Sequence, residues 1–225
     1  NKIIYTYNKM SLQNTSIMAN FGENQILNFE LRYDLINSSI LPKKQIIALP
    51  PDIALYQQIY FASISPAPLY LKRDIDGNTL ATFRIKPKQS LQVTARGSAK
   101  ILGRQIFPEM GGKMHEIPEN LKKIYTKDDL YWEVSDPKIR EIAEKLFDPH
   151  KTVAENAHKV HNYVVENLTY MEVVESSQDI ERKGAVKALD KGENVCMEFT
   201  DLFVALTRAM GIPAREINGY AISNG

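Results

Sequence analysis

The sequence contains one cysteine, Cys196, whose position suits a nucleophile. It lies one residue before a predicted helix whose apolar side chains recur at helical spacing. A thiol at a helix start faces the positive end of the helix dipole and backbone N–H groups without helical partners, and both favour the reactive thiolate. The same N–H groups could hold the oxyanion formed when a thiolate attacks a carbonyl. The alternative is a buried structural cysteine, a common role for a free thiol.

Other kinds of chemistry have less support from the residue types. A single cysteine excludes an internal disulfide and a cysteine-based zinc site. His158 and His161 share a face of one predicted helix, but two ligands without a third are weak evidence for a metal. We predict that these two, and His115 and His150, are surface residues. A redox role for Cys196 lacks a resolving cysteine, and we expect neither a metal nor a cofactor.

The second half of the sequence predicts four helices and a final strand. Asp136 before a proline is typical of a helix start, and Thr152 with Glu155 three residues later forms a capping-box pattern. Glycine and proline at positions 211 and 213 end the fourth helix. The helices are predicted over residues 136–147, 152–168, 184–189 and 197–210, and the strand over residues 214–222.

The first half of the sequence predicts strands, because apolar and polar residues alternate with a period of two. Asp76-Gly77 is typical of a hairpin turn between two of these strands. Several short strands between proline and glycine turns indicate a β-sandwich of about 100 residues. The predicted strands cover residues 3–7, 27–35, 46–49, 56–64, 69–73, 79–85 and 91–102.

Residues 191–215 read KGENVCMEFTDLFVALTRAMGIPAR, and Gly219-Tyr220 follows them. This stretch resembles the core motif of the transglutaminase-like superfamily, whose members share a papain-type thiol core. In that family a glycine-containing loop presents the nucleophilic cysteine at the start of a helix. The helix ends in Arg-Ala-x-Gly-Ile-Pro-Ala-Arg, and a strand with Gly-Tyr follows. Upstream, residues 161–164 and 168–170 resemble the helix and the tyrosine that precede the cysteine segment.

The resemblance implies a Cys-His-Asp catalytic unit in which Cys196 is the nucleophile. In the family the histidine and aspartate lie on strands after the Gly-Tyr strand, and no residue of this sequence matches either of them. We therefore expect both on a β-sheet that follows Gly225, and we expect activity in the full-length form. Arg215 is predicted to be a surface or structural salt-bridge residue rather than a catalytic one.

Four further residues near the cysteine receive predicted roles. An oxyanion donor other than the Cys196 N–H is expected from Tyr170 or Asn194. The alternatives are an aromatic core contact for Tyr170 and a turn role for Asn194. Glu198 and Asp201 are predicted on the polar side of the cysteine helix, where they would favour its dipole as capping residues.

The predicted fold class is α+β. We expect an all-β sandwich domain over residues 1–104, an irregular linker over 105–126, and the helical front half of a papain/transglutaminase-like core over 127–225. A β-sandwich ahead of such a core resembles the layout of many prokaryotic transglutaminase-like proteins. The sandwich by itself names no function.

The predicted function is thiol-dependent acyl transfer or hydrolysis at a peptide or isopeptide amide through a Cys196 thioester. This is the chemistry that the resemblance to transglutaminase-like cysteine proteases implies. The alternative is a catalytically inactive transglutaminase-like module that serves as a binding or scaffold domain, with the β-sandwich presenting an edge to a peptide.

The composition of the sequence argues against some classes of binding partner. The net charge of +1 gives no strong field for nucleic acid, and no run of 18 apolar residues could span a membrane. We expect a protein or peptide substrate, while the oligomeric state stays open. Because the sequence begins with Asn1 rather than methionine, we expect a processed chain, and an exported or cell-envelope location is favoured over a cytoplasmic one.

Overall fold

A computed structural model describes residues 20–21, 24–103, 111–171, 181–190 and 192–219. They form two compact units, and the boundary falls between Gln105 and Ile106. The structure is α+β, with an antiparallel N-terminal unit and a mainly helical C-terminal unit, as predicted. The predicted strand over residues 3–7 lies outside the described residues. None of the described helices is long and apolar enough to cross a membrane.

The N-terminal unit consists of two antiparallel sheets. One has the strand order β1-β2-β7-β4 and the other the order β3-β6-β5. The strands are β1 (Asn20–Phe21), β2 (Asn24–Asn37), β3 (Lys43–Leu49), β4 (Gln57–Ser65), β5 (Tyr70–Arg73), β6 (Thr79–Ile85) and β7 (Gln89–Leu102).

A single apolar cluster lies between the two sheets, and this makes the unit a sandwich. Its members alternate along each strand, because successive side chains of a strand point to opposite faces. The four-stranded sheet contributes Leu31, Leu35, Val93 and Ala95, and the three-stranded sheet contributes Ile47, Leu49, Ala81, Phe83 and Ile85.

The turn between β5 and β6 is the predicted hairpin. Gly77 has φ +84°, a conformation that favours glycine. The Asp74 carboxylate accepts hydrogen bonds from the backbone N–H groups of Asp76 and Asn78, at 3.0 and 2.8 Å. Turn geometry and side-chain capping therefore act together at this position.

The C-terminal unit is built around one central helix, α5, which packs against three others. Its core includes the fully buried side chains of Leu202, Ala205 and Leu206. The elements are a 3₁₀ helix (Met114–Glu116), α1 (Glu119–Tyr125), α2 (Pro137–Leu146), α3 (Val153–Asn167), β8 (Thr169–Tyr170), α4 (Ala185–Ala188), β9 (Glu193–Asn194) and α5 (Cys196–Ala209).

Both predicted helix starts have the expected caps. The Asp136 side chain accepts a hydrogen bond from the Lys138 N–H at 2.8 Å. In α3, Thr152 and Glu155 accept each other's backbone N–H groups at 3.1 and 2.8 Å, a complete capping box.

Two predicted segments differ from the structure. Residues 105–126, expected to be irregular, contain α1, because Pro118 lies at its N-cap and does not interrupt it. Met114 and Ile117 also pack on the helical core. Residues 214–219 form no strand, since no backbone in the described part of the chain pairs with them as a ladder. Residues 220–222 of that predicted strand lie outside the described residues.

Candidate active site

Cys196 is the first residue of α5, and its side chain is exposed. The interpretation as a buried structural cysteine is therefore wrong. The N–H groups of Glu198 and Phe199 both donate to the Val195 carbonyl. Among the described residues, the N–H groups of Cys196 and Met197 have no acceptor, as is typical of a first helical turn. An accessible sulfur thus lies beside two N–H groups that no described residue uses as donors.

The rest of α5 holds the cysteine in place. Leu202, Ala205 and Leu206 are fully buried against the helices around them. Phe199, one turn after Cys196, packs partly against the same core. A nucleophile carried by a packed helix keeps its geometry better than one on a free loop.

A short pair of parallel strands lies next to the cysteine. Tyr170 of β8 is paired with Asn194 of β9, and the Met171 N–H donates to the Asn194 carbonyl at 2.8 Å. The Tyr170 ring meets the Phe199 ring edge-on, with centroids 5.7 Å apart. Tyr170 therefore makes the predicted aromatic contact, yet 56% of the residue is exposed. This ring contact places Tyr170 beside the first turn of α5.

Asn194 is buried and directed into its own loop. Its Nδ2 donates to the carbonyl oxygens of Ala188 and Gly192, at 3.4 and 3.5 Å. Both amide hydrogens face backbone acceptors, so the geometry favours the turn role over the oxyanion role.

Glu198 and Asp201 do not lie on a polar surface, because both are fully buried. Glu198 is a capping residue, as predicted: one carboxylate oxygen accepts the Val195 N–H at 3.0 Å. Its other oxygen accepts the Lys183 N–H at 3.1 Å. The spacing of these acids from Leu202 and Ala205, at i+4, indicates the apolar face of the helix. That spacing was the available signal for their burial.

Asp201 is the centre of a charged network that the sequence did not reveal. The Arg182 guanidinium donates to it twice, and the Trp132 indole N–H donates at 2.9 Å. Arg182 also pairs with Glu216 at 2.9 Å. Burial raises the pKa of the Asp201 carboxyl, while the contacts with Arg182 and Trp132 lower it. Asp201 in turn raises the pKa of Arg182.

We compared the chain with known protein families and with solved structures. Residues 140–225 match the transglutaminase-like superfamily. This region belongs to that superfamily. The transglutaminase-like region includes the cysteine, all of α5 and most of α2. The resemblance proposed from the sequence motif is confirmed.

A solved structure supports the same fold. The crystal structure of a candidate cysteine protease from Cytophaga hutchinsonii aligns with 84% of this chain at a TM-score of 0.57 and 15% identity. The likeness at this identity shows a shared fold. The chain spans 65% of the length of that protein. The comparison with curated proteins finds no match.

Two arginines make contacts near the C-terminal end of α5. Arg208 is buried and donates to the carbonyl oxygens of Ala214 and Lys127, at 2.8 and 2.7 Å. Its guanidinium lies 4.3 Å from the centre of the Trp132 ring. Arg215 lies over the Tyr125 ring at 5.9 Å, so the structural role predicted for it includes a contact with an aromatic face.

The four histidines of the chain are exposed, as predicted. His158 and His161 stack with ring centroids 5.9 Å apart on α3. His115 lies in the 3₁₀ helix, and His150 lies in the turn before α3. No group of three metal-ligating side chains occurs among the residues that the structure describes.

Proposed function

We propose that Cys196 is the nucleophile of a thiol-dependent acyl transfer or hydrolysis at a peptide or isopeptide amide. The observation that carries this proposal is the exposed thiol at the first residue of a packed helix, beside two N–H groups that have no acceptor within the described part of the chain. A transglutaminase-like region around this cysteine supports the assignment.

The proposed reaction proceeds through a thioester. The Cys196 thiolate attacks the amide carbonyl carbon, and the carbonyl oxygen becomes an oxyanion held by the Cys196 N–H. The Tyr170 hydroxyl is our second donor. The C–N bond then breaks, the amine leaves with a proton, and an acyl-enzyme remains. Water attacks the acyl-enzyme and releases the acid; an attacking amine would give a transferase product instead. We expect hydrolysis to predominate because water is always available.

Proton transfer in this scheme requires a general base. We propose that a histidine oriented by an aspartate supplies it in the full-length form, as the family resemblance implies. Such a base takes the thiol proton and later returns a proton to the leaving amine. We do not assign the role of general base to the exposed histidines on α3.

The test is acylation of the chain and of the full-length product by p-nitrophenyl acetate, with Cys196→Ala as the control. We expect release of one p-nitrophenolate per protein at a rate above that of a short cysteine peptide at pH 7. Mass spectrometry should locate the acetyl group on Cys196. A rate equal to that of the peptide, or unchanged release in Cys196→Ala, would contradict the proposal.

A catalytically inactive binding module is the second candidate. The observation that favours it is that all four histidines lie on exposed positions of other elements. In that case the full-length product would react with p-nitrophenyl acetate no faster than the short cysteine peptide does. It would also bind peptide ligands, and the Cys196→Ala substitution would leave that binding unchanged. Measuring the equilibrium binding of peptides to wild type and to Cys196→Ala distinguishes the two functions.

A further inference from the structure

We infer that Glu198 is a positioning residue for Cys196: its buried carboxylate fixes Val195, the residue that precedes the nucleophile. The inference rests on the proposed function and extends it to a residue that does not touch the substrate. It begins from an unusual placement, since Glu198 is a charged residue that is fully buried in the first turn of α5.

The two oxygens of this carboxylate bind two different segments. One accepts the N–H of Val195, the residue before the cysteine, at 3.0 Å. The other accepts the N–H of Lys183, on the segment that leads into α4, at 3.1 Å. Glu198 therefore joins the cysteine loop to a neighbouring segment by charge-assisted hydrogen bonds.

The neighbouring segment is itself anchored. The Arg182 guanidinium pairs with buried Asp201, one turn farther along α5. The Lys183 ammonium returns to the cysteine loop and donates to the Glu193 carbonyl at 2.8 Å. The side chains of Arg182 and Lys183 therefore both anchor this segment. Through its bond to the Lys183 N–H, Glu198 connects Val195 to a segment that is already held in place.

The position of Val195 determines what Cys196 can do. Val195 has the extended conformation of an N-cap, with φ −103° and ψ 179°. Its C-terminal peptide group carries the Cys196 N–H, the proposed oxyanion donor. If Val195 shifts, that N–H turns away from the oxyanion position, whereas the exposed sulfur remains accessible. Loss of the Glu198 contacts should therefore impair attack on carbonyls more than attack on saturated carbon.

Two reagents separate these effects. In acylation by p-nitrophenyl acetate, the sulfur bonds to the carbonyl carbon, p-nitrophenolate leaves, and the thiol proton passes to solvent. Alkylation by iodoacetamide displaces iodide at a saturated carbon and forms no oxyanion. Glu198→Gln keeps the shape of the side chain but turns an amide N–H₂ toward one of the two backbone donors. We expect its acylation rate to fall about 10-fold or more, as for a displaced oxyanion donor, and its alkylation rate to stay within about 3-fold of wild type.

The matched control is Glu155→Gln, which changes the equivalent third position of α3, where the carboxylate accepts the Thr152 N–H. We expect both of its rates to equal those of wild type. Lys183→Met removes only the exposed ammonium contact to Glu193 and should lower acylation about 3-fold, by a smaller displacement of the same donor. If Glu198→Gln does not fold, Glu198→Asp decides instead, because it keeps the carboxylate but withdraws it by one methylene from the N–H groups of Val195 and Lys183.

The outcomes distinguish the inference from the function on which it rests. Wild type that is acylated no faster than a cysteine peptide overturns both. If wild type is acylated rapidly and Glu198→Gln is acylated equally fast, the positioning role alone is overturned. Where Glu198→Gln does not fold, equally fast acylation of Glu198→Asp overturns it. An equal loss of acylation and alkylation in Glu198→Gln also overturns it, because that pattern indicates general loss of structure.

Discussion

At the scale of single residues, the buried charged groups along α5 depend on their partners for stability. Asp201 is fully buried and accepts hydrogen bonds from Arg182 and Trp132. A carboxylate in such a place costs free energy to bury and regains it from its partners. The network therefore depends on every member, and the loss of one partner leaves another without compensation.

Asp201→Asn should destabilise the C-terminal unit by about 3 kcal/mol, because Arg182 then lies half-buried with a weakened counter-charge. Glu216→Gln leaves the Asp201 pair in place and should cost less. The measurement is denaturant unfolding of both variants followed by Trp132 fluorescence, since Trp132 is the single tryptophan. Equal losses for the two variants would show that burial of the pair is unimportant.

Thr207 shows the opposite case, a buried hydroxyl without a hydrogen-bond partner among the described residues. Thr207→Val replaces this oxygen with a methyl group of similar size. We expect the free energy of unfolding to rise by about 1 kcal/mol, because an unsatisfied buried polar group is removed. Denaturant unfolding measures the change, and a destabilised variant would mean that the hydroxyl finds a partner in solution.

At the scale of elements, the capping box of α3 predicts a pH dependence. The Thr152 N–H and the Lys151 ammonium lower the pKa of Glu155 from its ordinary value of 4.5 to about 2. The folded-state pKa lies below that of the unfolded chain. The contact therefore stabilises α3 fully above about pH 4.5, and the stability is lost as the pH falls toward 2.

Glu155→Gln should remove this part of the acid sensitivity. We expect wild type to lose more stability than the variant between pH 5 and pH 2.5, measured by urea unfolding at both values. Glu144→Gln on α2, an exposed acid in the last turn of its helix and so away from the N-cap, is the control and should behave as wild type does. Parallel losses in wild type and Glu155→Gln would show that the capping box does not form in solution.

Local signals in the sequence were sufficient for some elements and insufficient for others. Asp136 and Thr152 start helices because capping depends on residues within one turn. The linker prediction over residues 105–126 was wrong for α1 because its proline sits at the N-cap, where proline is tolerated. The predicted strand beginning at residue 214 was wrong over residues 214–219, since a strand requires a pairing partner and alternation alone does not supply one.

At the candidate site, too, some features could be predicted from adjacent residues and others could not. The cysteine at the start of a helix could be read from adjacent residues. The contacts of Arg182 and Lys183 with α5 could not, because they join residues 15 to 19 positions apart through burial of specific atoms. Periodicity indicates which face is buried, but it does not indicate which backbone N–H a buried carboxylate will bind.

At the scale of the whole molecule, each compact unit has its own hydrophobic cluster. The cluster of the N-terminal unit comes from its two sheets, and that of the C-terminal unit comes from its helices and adjoining loops. A unit with its own core can unfold in a transition of its own. We therefore predict two separable unfolding transitions for this chain.

A matched pair of substitutions tests this prediction, since Ile85 and Ile139 are almost fully buried in different clusters. Ile→Val at either site should cost about 1 kcal/mol and lower one melting temperature by a few degrees. Trp132 packs against the helical cluster, so its fluorescence reports on that unit. Ile139→Val should shift the fluorescence transition, whereas Ile85→Val should leave it in place and shift a calorimetric transition instead. If both variants shift the fluorescence equally, the two units unfold together, and stability changes in the sandwich would then reach the cysteine site.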